Sequence, residues 1–206
     1  MKKPFDIAQS KGFTLIEVMV SVAIFSVVMT VSLGALLSMS DSDRRAEALK
    51  SVVNNLNFAL DSMTRTIRTG YNYHCNTTGT DFSTPGPQDC TGAGASYLAL
   101  KAADGTLVAY CLYNGQLMRE QLASGPLDTI CGSSNFSSMT SSELTITNLQ
   151  FIVIGSCPQQ NGAGCTSDNI QPKVTILISG SLKTGTNAPP IQLSLQSSAT
   201  QRIYDQ

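Results

Sequence analysis

The sequence has few of the residues with which most protein chemistry is done. In 206 residues there is no tryptophan and one histidine, His74, and only 13% of the chain is charged. A catalytic site needs several groups able to act as nucleophile, base or metal ligand, and a lone His74 beside Cys75 does not make one. The six cysteines include no CxxC pair, so the spacing of a structural zinc site is missing. Gly92-Ala93-Gly94 and Gly162-Ala163-Gly164 lead neither into a helix nor into the Lys-Ser/Thr of a phosphate loop, and read as turns. Asp41 with Asp43, and Asp81 with Asp89, lack the spacing of a calcium-binding loop and read as solvated loop acids. No enzyme, cofactor or metal is expected. An excess of positive charge is missing as well: 13 basic against 14 acidic residues leave a net charge of -1, which argues against nucleic acid as a partner.

Charge disappears altogether between Val18 and Ser40. That run of about 23 residues would make roughly 35 Å of helix, enough to cross a hydrocarbon core of about 30 Å. Ahead of it Lys2, Lys3 and Lys11 face a single Asp6, the bias of a segment retained in the cytoplasm, so the bulk of the chain is expected on the far side of the membrane. A secretory signal peptide cut near Ser38-Met39-Ser40 is the ordinary alternative, but the run exceeds the usual apolar stretch of about 7–15 residues. A plain membrane anchor explains the span and leaves Glu17 unexplained. A carboxylate within a membrane helix costs roughly 2.5–3.5 kcal/mol at the centre, less near an interface, and usually has a partner. With no cation nearby on the outer side, its partner is expected from outside the chain.

From Asp41 to Thr69 there is neither proline nor glycine. Leu49, Val52, Val53, Leu56, Leu60, Met63 and Ile67 recur at spacings of three and four, with Asp43, Arg44, Glu47, Lys50, Asn54, Asn57, Asp61 and Arg65 on the other side: an amphipathic helix with one buried face. One helix from about Phe13 to Thr69, stopped by Gly70, is expected; the alternative is two helices hinged near Ser38 to Ser42. Residues 71–95, rich in Gly, Thr and Pro, read as an exposed loop pinned by a disulfide. Strands are expected over 97–102, 106–113, 116–121, 143–155, 173–181 and 191–199. Asp104-Gly105 and Asn114-Gly115 act as hairpin turns, and 122–142 is expected to be polar and irregular. The fold class is therefore α+β, a long N-terminal helix on an antiparallel β domain. All six cysteines follow the apolar run, and their even number in loop-like sequence points to three disulfides outside the cytoplasm. Fifteen pairings are open; Cys75 with Cys90, Cys111 with Cys131 and Cys157 with Cys165 need the shortest loop closures.

At Gly12-Phe13-Thr14-Leu15-Ile16-Glu17-Val18 the chain resembles the superfamily of type IV pilins and type II secretion pseudopilins. The short basic leader, the aromatic after Gly12, the acid five residues into the mature chain and the uncharged helix carry the likeness. The resemblance implies a pilin-like fold and a prepilin peptidase that cuts between Gly12 and Phe13 and methylates the new amine of Phe13. It also implies that Glu17 pairs with the N-terminal amine of a neighbouring subunit. It divides the chain into a leader (1–12), a transmembrane and filament-core helix (13–40), and an amphipathic helix with its disulfide-stapled β domain (41–206). The implied partners are the peptidase, other pilin or pseudopilin subunits and an inner-membrane assembly platform, with the N-terminus cytoplasmic and the β domain in the periplasm or outside the cell. In plan the chain is similar to larger minor pilins and J-type minor pseudopilins, through Val108-Ala109-Tyr110, Gly115-Gln116-Leu117-Met118-Arg119 and a last strand closing at Arg202. A pilus-tip adhesin sharing the same anchor is the other reading within this resemblance.

Overall fold

The computed structural model describes residues 12–76, 86–128, 130–157, 170–183 and 189–202. One helix, α1, runs from Leu15 to Thr69, without a break at 38–42 and two residues shorter at its start than the sequence pattern suggests. Nine strands follow: β1 (Tyr71–Asn76), β2 (Cys90–Ala95), β3 (Tyr97–Lys101), β4 (Leu107–Tyr113), β5 (Gln116–Leu122), β6 (Ser137–Ser138), β7 (Leu144–Ile154), β8 (Lys173–Leu182) and β9 (Ile191–Thr200). They form two antiparallel sheets, ordered β1-β3-β4-β5-β6 and β2-β7-β8-β9. The chain divides into two compact units after Glu47.

In the second unit, Val52, Leu56, Ala59, Leu60, Met63 and Ile67 are the buried residues of α1, all but Ala59 named by the sequence periodicity. They join one hydrophobic cluster with both sheets, including Leu98, Leu100, Val108 and Tyr110 of the first, and Leu149, Phe151, Val153, Val174, Ile176 and Ile178 of the second. The helix end is fixed differently from expectation. Gly70 does not take the left-handed conformation of a helix cap; the positive φ near the helix end belongs to Asn72, at 55°, within β1. Glycine is needed at 70 for space, because a Cβ there would overlap Leu100 Cδ1 and lie 3.0 Å from the Lys101 carbonyl.

Residues 71–95 correct the expected loop. Tyr71–Asn76 pairs with β3, and Tyr73 and Cys75 enter the core; Cys90–Ala95 pairs with β7 through a shift in register. The alternation in Tyr71-Asn72-Tyr73 was masked by the glycine-rich residues that follow, and Gly92 and Gly94, both at positive φ, give β2 no readable pattern. Residues 77–85 lie outside those described. The two hairpin turns also differ. Asn114 (φ 49°) and Gly115 (φ 74°) form a two-residue turn between Tyr113 and Gln116, as mirror-image turns require. Asp104-Gly105 belongs to a longer loop closed by Ala102 N–H donating to Thr106 O at 2.8 Å, with Asp104 Oδ1 accepting both donors of Thr106. The slips in the 143–155 pattern have a physical cause, a bulge between Ile146 and Asn148 that restores the inward face for Leu149, Phe151 and Val153.

The segment between β5 and β7 is less polar in role than in composition. Leu127 and Phe136 are buried with Tyr97, Ala99, Ala109 and Cys111 in a second cluster, so the segment covers the face of the first sheet that α1 does not. Phe136 meets Tyr97 edge to face at 6.3 Å, and the Cys111–Cys131 disulfide ties the cover to β4. The other pairing found is Cys75–Cys90. Cys157 is disulfide-bonded, and Cys165 lies outside the described residues. Crosslinks closing loops of this size stabilise by on the order of 3 kcal/mol in the chain-entropy account.

Under the cover sits an acid. Glu120, opposite Ala109 in the ladder, is fully buried. Its Oε2 accepts the Asp128 N–H at 3.0 Å, and Oε1 has no partner among the described residues. Burial pushes its carboxyl above the ordinary value of 4.5, reinforced by the charge of Asp128 and opposed by that hydrogen bond. Tyr97, which donates to the Asp128 carbonyl at 2.9 Å, is shifted upward too, by burial first and then by the charges of Glu120 and Asp128. Because the folded chain holds the Glu120 proton to higher pH than the unfolded chain, this group's contribution to stability is complete below pH 4.5 and is lost as pH rises through the folded pKa. Glu120→Gln keeps an acceptor for Asp128 N–H and removes the titration. Denaturant unfolding from pH 4 to 8 should therefore show the variant gaining stability relative to wild type as pH rises; parallel curves would disprove the assignment.

Candidate functional site

The start of α1 is built as a capping box. Thr14 precedes the first helical residue, and its N–H and hydroxyl both donate to Glu17 Oε2, at 3.2 and 3.1 Å. Glu17 N–H in turn reaches Thr14 Oγ1 at 3.4 Å. This reciprocal pattern satisfies donors that the first turn of a helix leaves free. The Thr14-x-x-Glu17 spacing was readable in the sequence, which makes Thr14 the member of the site that reasoning from the acid alone missed. Glu17 is also the acid of the first turn, where the helix macrodipole favours negative charge by about 0.3–1 kcal/mol. The carboxylate thus has a role inside its own chain, but a neutral glutamine would fill the same place in the box. Capping accounts for the side chain, and the macrodipole for only a modest preference for its charge.

Just before the box, Gly12 and Phe13 are non-helical and exposed, Phe13 to 87%. A Cβ added to Gly12 would meet nothing within 4 Å, and its φ is not in the left-handed range. Neither space nor backbone conformation within the described residues demands a glycine here.

Beyond the box the helix is apolar and uncovered. The span has a mean hydropathy of 2.3 in its most apolar stretch, none of it buried, and Phe25, Val31, Leu33, Leu36 and Leu37 are each at least 60% exposed. Four hydroxyls within it are already satisfied: Ser21, Ser26, Thr30 and Ser32 donate to the carbonyls of Glu17, Val22, Ser26 and Val28 at 2.7–2.8 Å. Side-chain donors that return to their own backbone, as these four do, suit a helix to hydrocarbon, where an unmade hydrogen bond is costly. Length, hydropathy and exposure are those of a membrane-anchoring helix.

The remaining sequence candidates are placed as follows. Asp41 and Asp43 lie within α1, not in a loop. Asp89 is not a solvated acid: its two oxygens accept the N–H groups of Gly155 and Ser156 at 3.1 and 2.8 Å and close the end of β7. Asp81 and Gly162-Ala163-Gly164 lie outside the described residues, and Gly92-Ala93-Gly94 lies in β2. His74 stands in β1, its Nδ1 2.6 Å from the Gly86 carbonyl. Among the described residues no three or more of His, Cys, Asp and Glu gather as metal ligands would. The structure thus brings together Gly12, Phe13, Thr14 and Glu17, and keeps Cys75, Cys90, Cys111, Cys131 and Cys157 as crosslinks in the β domain.

A family model described as the prokaryotic N-terminal methylation motif matches residues 7–33. The match takes in the Gly12-Phe13 junction, the capping box and most of the apolar run, and it supports the likeness to processed pilin-type subunits. No curated protein and no solved structure matches the chain.

Thr14→Ala removes the hydroxyl from the box and should weaken the first turn by about 1 kcal/mol, the usual cost of losing such a cap. Amide hydrogen exchange at residues 15–18, measured in micelles, should accelerate severalfold while exchange at residues 52–67 stays the same; unchanged exchange at 15–18 would count against the box.

Proposed function

We propose that the chain is a structural subunit of a filament of the type IV pilus or type II secretion pseudopilus class, and that its N-terminal stretch is where it is processed and assembled. The methylation motif carries this reading, because it lies across an exposed, non-helical Gly12-Phe13 peptide. Nothing in the described fold asks for glycine at 12, so the requirement is best met by an outside agent that reads it, a prepilin peptidase. Cleavage there would release residues 1–12 and leave Phe13 as the amino terminus for methylation. Residues 13–40 would serve as membrane span and filament core, and 41–206 as the portion carried outside.

Glu17 then acquires a second role. Its Oε1 accepts no hydrogen bond among the described residues, and a positive amine from a neighbouring subunit at the same depth would be a stronger partner than neutral donors. Pairing of that kind sets the axial register of one subunit against the next. The subunit is read as a minor one, on the ground of its three expected disulfides and its length. It would be stored in the inner membrane with its N-terminus in the cytoplasm, where the assembly platform and sibling subunits meet it.

Mass spectrometry of the mature protein is expected to find N-methylphenylalanine at Phe13; an amino terminus beyond Ser38 would overturn the reading. Gly12→Val should block processing without changing the unfolding of residues 48–206. Glu17→Gln separates capping from charge: it should be processed normally and fail to enter filaments, and normal incorporation would refute the pairing with an amine.

A further inference from the structure

Three of the six arginines of the chain line one cavity. Arg65, Arg68 and Thr69 from the last turns of α1 meet Thr200 from the end of β9 and Arg202 just beyond it, around an open space of about 470 Å³. All five belong to the second unit. Cations in the last turn of a helix have an ordinary explanation, since they complement the macrodipole and cap the final carbonyls. Here the carbonyls of Arg65, Thr66, Ile67 and Arg68 are taken by other donors. Thr69 Oγ1 reaches the Arg65 and Thr66 carbonyls. Gly70 N–H and the Tyr73 hydroxyl reach that of Ile67. Arg202 N–H reaches that of Arg68 at 2.7 Å. The guanidinium groups are left over from capping, and the macrodipole says nothing about why Arg202, from a different element, enters the same space.

The charges of the described residues do not cancel within the site. Arg65 gives its Nε to Asp61 Oδ2 at 2.9 Å, the one ion pair found among the described residues, and both of its members are largely exposed. Among the described residues, three arginines and one aspartate leave the cavity at +2, with the terminal nitrogens of Arg65 unused by that pair. The backbone bond between Arg202 and Arg68 fixes the origins of two guanidinium groups side by side. Thr200 adds a hydroxyl. The helix C-terminus opposes an anion with only about half a unit of charge, less than the surplus.

We propose that this cavity binds a phosphate-type dianion, free or as a small phosphate ester. A surplus of +2 matches a dianion in charge, where a single carboxylate would leave half of it uncompensated. Guanidinium forks place paired N–H groups at the spacing of phosphate oxygens. Binding relieves the mutual repulsion of three like charges crowded round one space. Because the walls are exposed, the interaction is screened by salt. This site is independent of the filament reading and stands or falls without it.

The test is calorimetric titration of the full chain in a non-ionic detergent with inorganic phosphate at pH 7.5 and low ionic strength. Saturable one-to-one binding is expected, to persist in sodium chloride of matched ionic strength, and to fall at least tenfold in the Arg68→Gln/Arg202→Gln double variant. Arg119→Gln, which lies outside the cavity, should bind as wild type does. Arg202→Lys keeps the charge and loses the fork, and should bind severalfold more weakly, which serves as the readout should the double variant not fold. Glycerol 3-phosphate binding as tightly as phosphate would assign the site to an esterified group, and weaker binding to the free ion; either result supports it. Binding abolished by matched chloride, or equal in the wild type and the cavity variants, would overturn the proposal.

Discussion

An apolar helix surface has to be covered by something, and that constraint governs this chain. Within α1 it is met in two ways. Over Val52 to Ile67 the protein supplies its own cover, two sheets that close around a stripe of six buried residues. Over Val18 to Met39 no cover is supplied by the described residues. Burial of a large aliphatic or aromatic side chain is worth about 1.5–3 kcal/mol, so a run of such residues is not left in water. A bilayer, or the equivalent stretches of neighbouring subunits, has the right chemistry to accept it. The hydroxyls of Ser21, Ser26, Thr30 and Ser32, turned back onto the helix carbonyls, fit both.

Against that apolar surface the polar groups at its entrance carry more weight than their number suggests. Thr14 and Glu17 together satisfy the first turn, and the box would work without a net charge. Retaining a carboxylate, for which the chain itself offers only the modest preference of the macrodipole, is what directs attention outward. The same reasoning, asking which part of a side chain the fold already explains, separates Gly12 from Gly70. Gly70 is required by Leu100 and Lys101. Gly12 is required by nothing in the described structure, so its requirement is best sought in something that acts on the chain.

In the β domain both faces of the first sheet are in use. One looks into the core shared with α1, and the other is closed by the crosslinked segment that carries Leu127 and Phe136. This double coverage explains why β3 is buried almost without alternation. It also explains how Glu120, an acid in the middle of a strand, comes to lie fully out of water. A period-two reading assigns such a residue to solvent, because the pattern of one strand does not reveal that a later segment will fold over it.

Local signals were legible wherever the deciding contacts are local. The apolar run, the amphipathic stripe and the Asn114-Gly115 turn depend on residues a few places apart; the sequence by itself determined them, along with the Gly12 to Glu17 motif, whereas among fifteen open pairings it only favoured Cys75–Cys90 and Cys111–Cys131 by their short loops. Contacts between distant segments decided the rest. Pairing of Tyr71–Asn76 with β3, and of Cys90–Ala95 with β7, turned an apparent loop into sheet edges. Two carboxylate oxygens of Asp89 found the N–H groups of residues 66 and 67 positions away. Arg202 came to stand beside Arg65 and Arg68 only because the end of the last strand bonds to the end of the helix. Hydrophobic period and turn chemistry act over a few residues and are written in order along the chain. Which face is covered twice, and which charges gather round one cavity, follows from chain closure over more than a hundred residues and becomes visible only once the sheets are assembled.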